Sequence, residues 1–159
     1  MPDIYTPIDK TSSSLSNKYL EDADDATLSK ADKLYLHLWT NQIEGMGHTN
    51  ISKLLALSLT NLCVMWDSGV RKDFLHNFPR APKMAARYGQ AHSDYYRFLV
   101  QRREVANDLV KQVIAERVVA RDKAIAWLRQ LPLQVGSDKR EKPLAKLIDE
   151  YYYWIGPAG

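Results

Sequence analysis

Apolar residues recur at helical spacing in three parts of this chain, and they predict an all-α protein. The first helix is expected from Ser29 to about Ile43, because Ser29 and Asp32 have the spacing of a capping box and the apolar residues that follow share one helical face. Gly45 and Gly47 are expected to end it.

A second helix is predicted from Thr49 or Asn50 to about Trp66. Its apolar residues are distributed nearly all round the helix, a pattern typical of burial in a core or between subunits. Residues 67–92 are expected to form an irregular loop, because Pro79 and Pro82 oppose helix there.

A longer helical stretch is predicted from Ser93 or Asp94 to about Gln130, with Pro132 and Gly136 at its end. Unbroken, it would be about 55 Å long. A break near Asn107 would instead make it an antiparallel pair, and the pattern leaves both alternatives open. Pro143 suits the first turn of a last helix, reaching about Tyr153.

The two ends of the chain differ in composition. Residues 1–26 are polar and are expected to form a flexible or extended N-terminal arm, whereas residues 27–159 are expected to form a single helical domain. The pattern therefore predicts an all-α fold with an extended N-terminal arm and an irregular loop at about 67–92.

Composition favours a binding protein over an enzyme. The sequence has no phosphate-cradling glycine loop, no zinc-binding His/Glu pattern and no Ser or Cys nucleophile motif. We therefore expect no catalytic residues, no metal and no cofactor. The single cysteine, Cys63, suits a reducing compartment, and the sequence predicts no membrane span and no signal peptide.

Charge is distributed unevenly along the chain. Residues 1–50 carry four basic and eight acidic groups, whereas residues 71–103 carry eight basic and two acidic groups. This asymmetry indicates either an anionic partner for the middle of the chain or subunits that meet with opposite charge. Aromatic residues interleave with the basic ones, as in surfaces that bind nucleic acid, although they could equally belong to a core; Phe78 is expected in the core in either case.

Residues 49–69 permit a second interpretation, a helical DNA-binding regulator with a helix-turn-helix. Its recognition helix would cover residues 60–68, which contain no Arg or Lys and one acid, Asp67. Such a helix offers little to phosphates or guanine edges, so one buried helix is the preferred interpretation. A helical adaptor or chaperone that binds no nucleic acid is the third interpretation.

Six short motifs occur in a fixed order along the chain: ISK at 51–53, WDSG at 66–69, NFP at 77–79, RYG at 87–89, REK at 140–142 and WIGP at 154–157. This ordered set resembles the coat proteins of rod-shaped plant RNA viruses of the benyvirus, tobravirus and tobamovirus type. The order and spacing of the motifs agree best with the benyvirus type, and the start, MPDIYTPIDK, looks like a tobravirus arm. The chain departs from these families in its very short inner loop and in Leu147, Ile148 and Asp149, which replace an expected Phe-Glu pair.

The resemblance implies a four-helix bundle that polymerises into a helical rod of identical subunits around single-stranded RNA, in the virion and the host cytoplasm. RNA contacts are then expected at the inner end of the bundle, around a turn at 97–108, and further along the next helix. The implied residues are Arg97, Arg102, Arg103, Asn107, Asp108, Arg117 and Arg121. The resemblance also implies an Arg–carboxylate pair, of Arg121 with Asp94 or Asp108.

Overall fold

The computed structural model describes residues 5–41, 46–79, 93–134 and 140–154, and over these ranges it contains α-helices, one short 3-10 helix and no β-strand. The all-α prediction is confirmed. The helices are α1 (Tyr5–Leu15), the 3-10 helix (Leu20–Asp22), α2 (Asp25–Thr40), α3 (His48–Ser58), α4 (Ser68–Asn77), α5 (Asp94–Arg117), α6 (Arg121–Gln134) and α7 (Leu144–Trp154).

Helix α5 is the central element, because it packs against α2, α6, α7 and the 3-10 helix. Its buried residues recur at helical spacing along one stripe, from Phe98 and Leu99 through Ala106 to Val110. Trp66 is among the largest fully buried side chains and packs against this stripe at Phe98, with ring centroids 4.5 Å apart.

The start of α5 lies where the sequence predicted it, and the start of α2 does not. Ser93 caps α5 by accepting a hydrogen bond from the Tyr95 N–H at 3.1 Å. Helix α2 begins at Asp25, because Asp24 accepts the Thr27 N–H at 2.7 Å. Hydrogen bonds from the Thr27 side chain and from its backbone N–H hold the pKa of Asp24 below its usual value. The expected capping box at Ser29 is wrong.

Asp32, the acid of that expected capping box, has a different role. It is fully buried and accepts hydrogen bonds from the Ser93 N–H at 3.1 Å and from the Ser93 hydroxyl. Asp32 therefore joins α2 to the first residue before α5, 61 positions later in the chain.

The expectation of an extended arm is wrong for residues 5–26. This segment forms α1 and the 3-10 helix, and Leu15, Leu20 and Ala23 belong to the hydrophobic core. These apolar side chains attach the segment to the core, and the acidic Glu21 between them is buried as well.

The second predicted helix is shorter than expected, since α3 ends at Ser58. Residues 59–67 continue in turn and non-helical conformations, yet Leu62, Cys63 and Trp66 are buried. The continuous apolar pattern reflects a buried non-helical segment following a helix, which periodicity alone does not distinguish from one buried helix. Within one chain, α3 is not buried all round, because Leu57 is 76% exposed.

The end of α3 at Ser58 also contradicts the recognition helix that the DNA-binding interpretation requires. Residues 60–67 are not helical, and α4 begins only at Ser68. Asp67 caps α4 by accepting the Val70 N–H at 2.8 Å, so part of the expected loop at 67–92 is a helix. Phe78, expected in the core, is 46% exposed. Residues 80–92 lie outside the described residues.

Of the two alternatives for residues 93–130, two helices separated by a break is correct, but the break lies at 118–120 and not near Asn107. Helix α5 continues through Asn107 to Arg117, and Val118 then adopts a left-handed conformation with φ 51° and ψ 49°. Helix α6 extends to Gln134 despite Pro132, which removes only a bond of its last turn. The last helix begins beside Pro143, as predicted.

Candidate functional site

The acidic residues near the N-terminus, here called the acidic segment (residues 21–25), bind three of the side chains predicted to contact RNA, two of them on α5. Arg103 Nη1 donates to Asp25 Oδ1 at 2.8 Å and to the Ala23 carbonyl at 2.9 Å. Asn107 Nδ2 donates to the Glu21 carbonyl at 3.1 Å. Both residues lie within α5 and not at a turn, so they attach the acidic segment to the central helix.

Helix α6 holds the same acidic segment through two arginines. Arg121 Nη2 donates to Asp22 Oδ1 at 2.9 Å and to the Glu21 carbonyl at 3.0 Å, so the expected pairing of Arg121 with an α5 carboxylate is wrong. Arg129 Nη2 donates to Glu21 Oε1 at 2.7 Å, and the Glu21 side chain is 0% exposed. The Arg129 guanidinium also lies 4.1 Å from the centroid of the Tyr19 ring.

Two further predicted residues are engaged near the start of α5. Arg97 pairs with Asp94 at 3.1 Å and donates to the Phe78 carbonyl at 2.6 Å. Arg102 is 4% exposed, and its guanidinium lies 4.6 Å from the centroid of the Phe98 ring. These arginines contribute to the packing between α5 and its neighbours.

The remaining predicted residues lie toward the far end of α5. Asp108 pairs with Lys111 at 3.0 Å, and the Arg117 guanidinium stacks 4.0 Å from the Trp127 ring centroid. At a rise of about 1.5 Å per residue, Arg97 and Arg117 are about 30 Å apart along α5. The predicted residues therefore do not form one site at an inner turn.

These contacts give the charge asymmetry a third explanation, which the sequence interpretation did not consider. Part of the acidic charge before residue 50 is paired with basic groups of α5 and α6 inside one chain. The surface cations that remain are more informative about partners than the total charge of a segment.

One such surface was not predicted, and we call it the His48 platform: Tyr35 and Trp39 of α2 with His48 of α3. The Trp39 and His48 rings stack with centroids 3.6 Å apart and planes at 17°, and Trp39 is 37% exposed. Tyr35 Oη and His48 Nδ1 share a hydrogen bond of 2.5 Å. Tyr35 and Trp39 lie one helical turn apart, a spacing visible in the sequence, whereas the contact with His48 depends on the fold.

The electrostatics of this platform favour an uncharged imidazole. Burial and the nearby Arg71 guanidinium lower the pKa of His48 from 6.5, and burial raises the pKa of Tyr35 to about 12. Arg71 and Lys72 of α4 make no ion pair with any residue in the described ranges, and Lys72 is exposed. The platform thus combines neutral stacked rings with the nearby, partly exposed Arg71 guanidinium.

A second unpredicted feature is a groove of about 130 Å³ between α4 and α5, here called the Phe78 groove. It is lined by Phe74, Phe78, Tyr96, Arg97, Val100, Gln101 and Glu104. Gln101 Oε1 and Arg97 Nε are buried there and have no hydrogen-bond partner among the described residues. No pattern in the sequence distinguishes Gln101 from the solvent-facing polar residues of α5.

Other chemistry has little support in the described part of the chain. Burial raises the pKa of the Cys63 thiol to about 12, so it is a poor nucleophile. Within the same residue ranges, no three His, Cys, Asp or Glu side chains are grouped closely enough to hold a metal, and no helix is both long and apolar enough to cross a bilayer.

No protein-family model, curated protein or solved structure matches this chain.

Proposed function

We propose that this protein is a structural subunit that polymerises into a helical rod around single-stranded RNA, as the coat proteins of rod-shaped plant RNA viruses do. The observation that carries the proposal is the His48 platform close to the Arg71 guanidinium of α4, which Lys72 follows in the same helix. Bases of any sequence stack on flat rings, and cations pair with the phosphates that follow them. A protein that covers a whole genome requires this kind of binding rather than recognition of particular bases.

The proposed RNA contact differs from the one implied by the resemblance. Most of the basic residues first considered are held by carboxylates, carbonyls or aromatic rings of the same chain. Releasing them to bind phosphate would cost those contacts. Arg71 and Lys72 have no such partner among the described residues, so we place the phosphate contact on α4 and base stacking on Trp39.

The four-helix bundle of the proposed family corresponds here to α2, α5, α6 and α7. This correspondence is supported by the packing of α5 against the other three helices. Polymerisation is supported by large apolar side chains that remain exposed at separate places, including Phe78 at 46% and Val118 at 90%. A rod that grows at its ends requires two unlike surfaces on each subunit, because its contacts are head-to-tail.

The first experiment measures binding of a fluorescent, unstructured RNA to the full chain over a range of salt concentrations. In the variant Arg71→Ala/Lys72→Ala, affinity should fall for all RNA sequences alike. The slope of log K against log salt should become shallower by about 1.4, since roughly 0.7 is lost for each phosphate contact to single-stranded RNA. The matched control is Lys30→Ala/Lys33→Ala, which removes the same charge from exposed positions on α2.

The two variants separate a local site from general charge attraction. An equal loss of RNA affinity in Arg71→Ala/Lys72→Ala and in Lys30→Ala/Lys33→Ala would contradict a phosphate-binding site on α4. Absence of salt-dependent binding in the unmodified protein would contradict the RNA-coating function itself and favour a helical adaptor. Trp39→Ala should weaken binding with no change in the salt slope, because stacking contributes about 1–3 kcal/mol per base without releasing counterions. Electron microscopy of protein with RNA should show rods.

A further inference from the structure

Val118 is the most exposed large apolar residue among those described, at 90%, and it lies at the tip between α5 and α6. Its φ of 51° is unfavourable for a β-branched side chain, and glycine is the usual residue in this conformation after a helix. A strained, exposed valine is costly for the isolated chain. Such strain is often kept where a side chain has a function in binding.

The Phe78 groove offers a matching receptor. Its floor and walls are provided by apolar and aromatic side chains, among them Phe74 and Val100, and its volume of about 130 Å³ is close to that of a cavity of about 150 Å³ that admits benzene. An aliphatic side chain therefore fits it. Gln101 Oε1 requires a hydrogen-bond donor there, and Arg97 Nε–H requires an acceptor.

The charges at the groove favour a peptide over a nucleic acid. The Arg97 guanidinium is already paired with Asp94 and the Phe78 carbonyl, so it attracts phosphate weakly. Glu104 lines the groove, is exposed and makes no ion pair within the described ranges, and it would repel a phosphate. Lys123, five positions after Val118, is exposed and makes no ion pair within the described ranges. This cation near the tip and the Glu104 carboxylate at the groove have opposite charges.

We infer that Val118 of one copy inserts into the Phe78 groove of the next copy. The peptide groups beside Val118 supply an N–H for Gln101 Oε1 and a carbonyl for Arg97 Nε–H, while Lys123 lies on the same tip and can pair with Glu104. The inference deepens the polymerisation part of the proposed function and rests on it. It does not depend on RNA.

The position of the two surfaces makes this contact head-to-tail. Gln101 and Val118 are 17 positions apart along α5 and its end, which is about 25 Å, so the tip of one copy cannot reach its own groove. Each copy therefore keeps a free groove at one side and a free tip at the other. Such a contact produces an open chain of copies unless the rotation between them closes a ring.

The test uses two full-length variants, Val118→Lys at the tip and Phe78→Glu at the groove, studied by sedimentation velocity without RNA. Each alone should weaken association at least about tenfold, because the apolar burial is lost. Mixed in equal amounts, they retain one intact tip and one intact groove, so they should form pairs and no longer species. Leu57→Lys is the matched control, since it makes the same change at another exposed apolar residue and should associate like the unmodified protein.

A further variant separates strain from contact. Val118→Gly should raise the unfolding midpoint of the monomer, since glycine accepts positive φ, and should still weaken association. Three results would each overturn the inference. The mixture could form species longer than pairs, Leu57→Lys could weaken association as much as Val118→Lys does, or the unmodified protein could stay monomeric at every concentration. Association through the tip without any RNA binding would leave the inference standing and contradict the RNA-coating function.

Discussion

Replacing Arg129 with alanine should destabilise this protein far more than replacing Arg121, although both arginines hold the acidic segment. Arg129 pairs at 2.7 Å with the Glu21 carboxylate, whose side chain is 0% exposed. Without Arg129, Glu21 keeps a buried charge with no cation beside it. The Arg121–Asp22 pair is different, because its side chains are 44% and 58% exposed and water can replace either partner.

The expected magnitudes follow from these exposures. Removing one partner of a buried ion pair costs about 3–5 kcal/mol. Arg129 is itself 25% exposed, so water can reach the site it leaves, and the lower end, about 3 kcal/mol, is expected. For Arg121→Ala, an exposed ion pair contributes about 0–1 kcal/mol and its bond to the Glu21 carbonyl about 1 kcal/mol, which gives a loss of about 1–2 kcal/mol.

Urea unfolding followed by circular dichroism gives the free energy of unfolding of each variant. The cause is tested by the double variant Glu21→Gln/Arg129→Ala, in which the buried charge is absent. This double variant should be more stable than Arg129→Ala alone, because an amide is less costly to bury than an unpaired carboxylate. Equal losses for Arg129→Ala and Arg121→Ala, or no recovery in the double variant, would refute the reasoning.

Three further predictions concern stability. Deleting residues 1–20 should lower the thermal unfolding midpoint, because Leu20 is fully buried. An unchanged midpoint would mean that these residues are a dispensable arm, as the sequence predicted. Leu62→Ala should cost about 2–5 kcal/mol in urea unfolding, whereas Leu57→Ala should cost under about 0.5 kcal/mol in the unassembled protein. The lowered pKa of His48 means that its neutral ring stabilises the fold fully above about pH 6.5 and less as the pH falls, so His48→Asn should lose less stability than the unmodified protein between about pH 7.5 and about pH 5.5.

Helix caps and first-turn prolines predicted the starts of helices correctly where their effect is confined to a few neighbouring residues. Ser93 does begin α5, and Pro143 does lie beside the start of α7, since a cap and a first-turn proline act on neighbouring backbone groups. Asp32 shows the limit of this reasoning. Its spacing from Ser29 matches a capping box, but burial between α2 and the chain before α5 gives it a distant partner instead.

The candidate sites could not be predicted for a related reason. A row of arginines indicates cations, but only the fold decides which of them already have partners, as for Arg103 with Asp25 78 positions away. Conversely, Trp39 and His48 are unremarkable in sequence and become a stacked pair only when α2 meets α3. The position of the helix break also depends on the fold. The length of the 93–130 stretch suggested a break, but nothing in the sequence fixed its place, and α5 continues through Asn107 to Arg117.

The acidic segment also determines when this protein can finish folding during its synthesis. Glu21 leaves the ribosome early, yet its cationic partner Arg129 is 108 positions later in the chain. At about 5–20 residues per second, roughly 5–20 seconds pass before that partner has been made. Throughout that interval the N-terminal segment can bury Leu20 only by leaving a carboxylate without its cation, so we expect it to stay undocked on the nascent chain until α6 emerges.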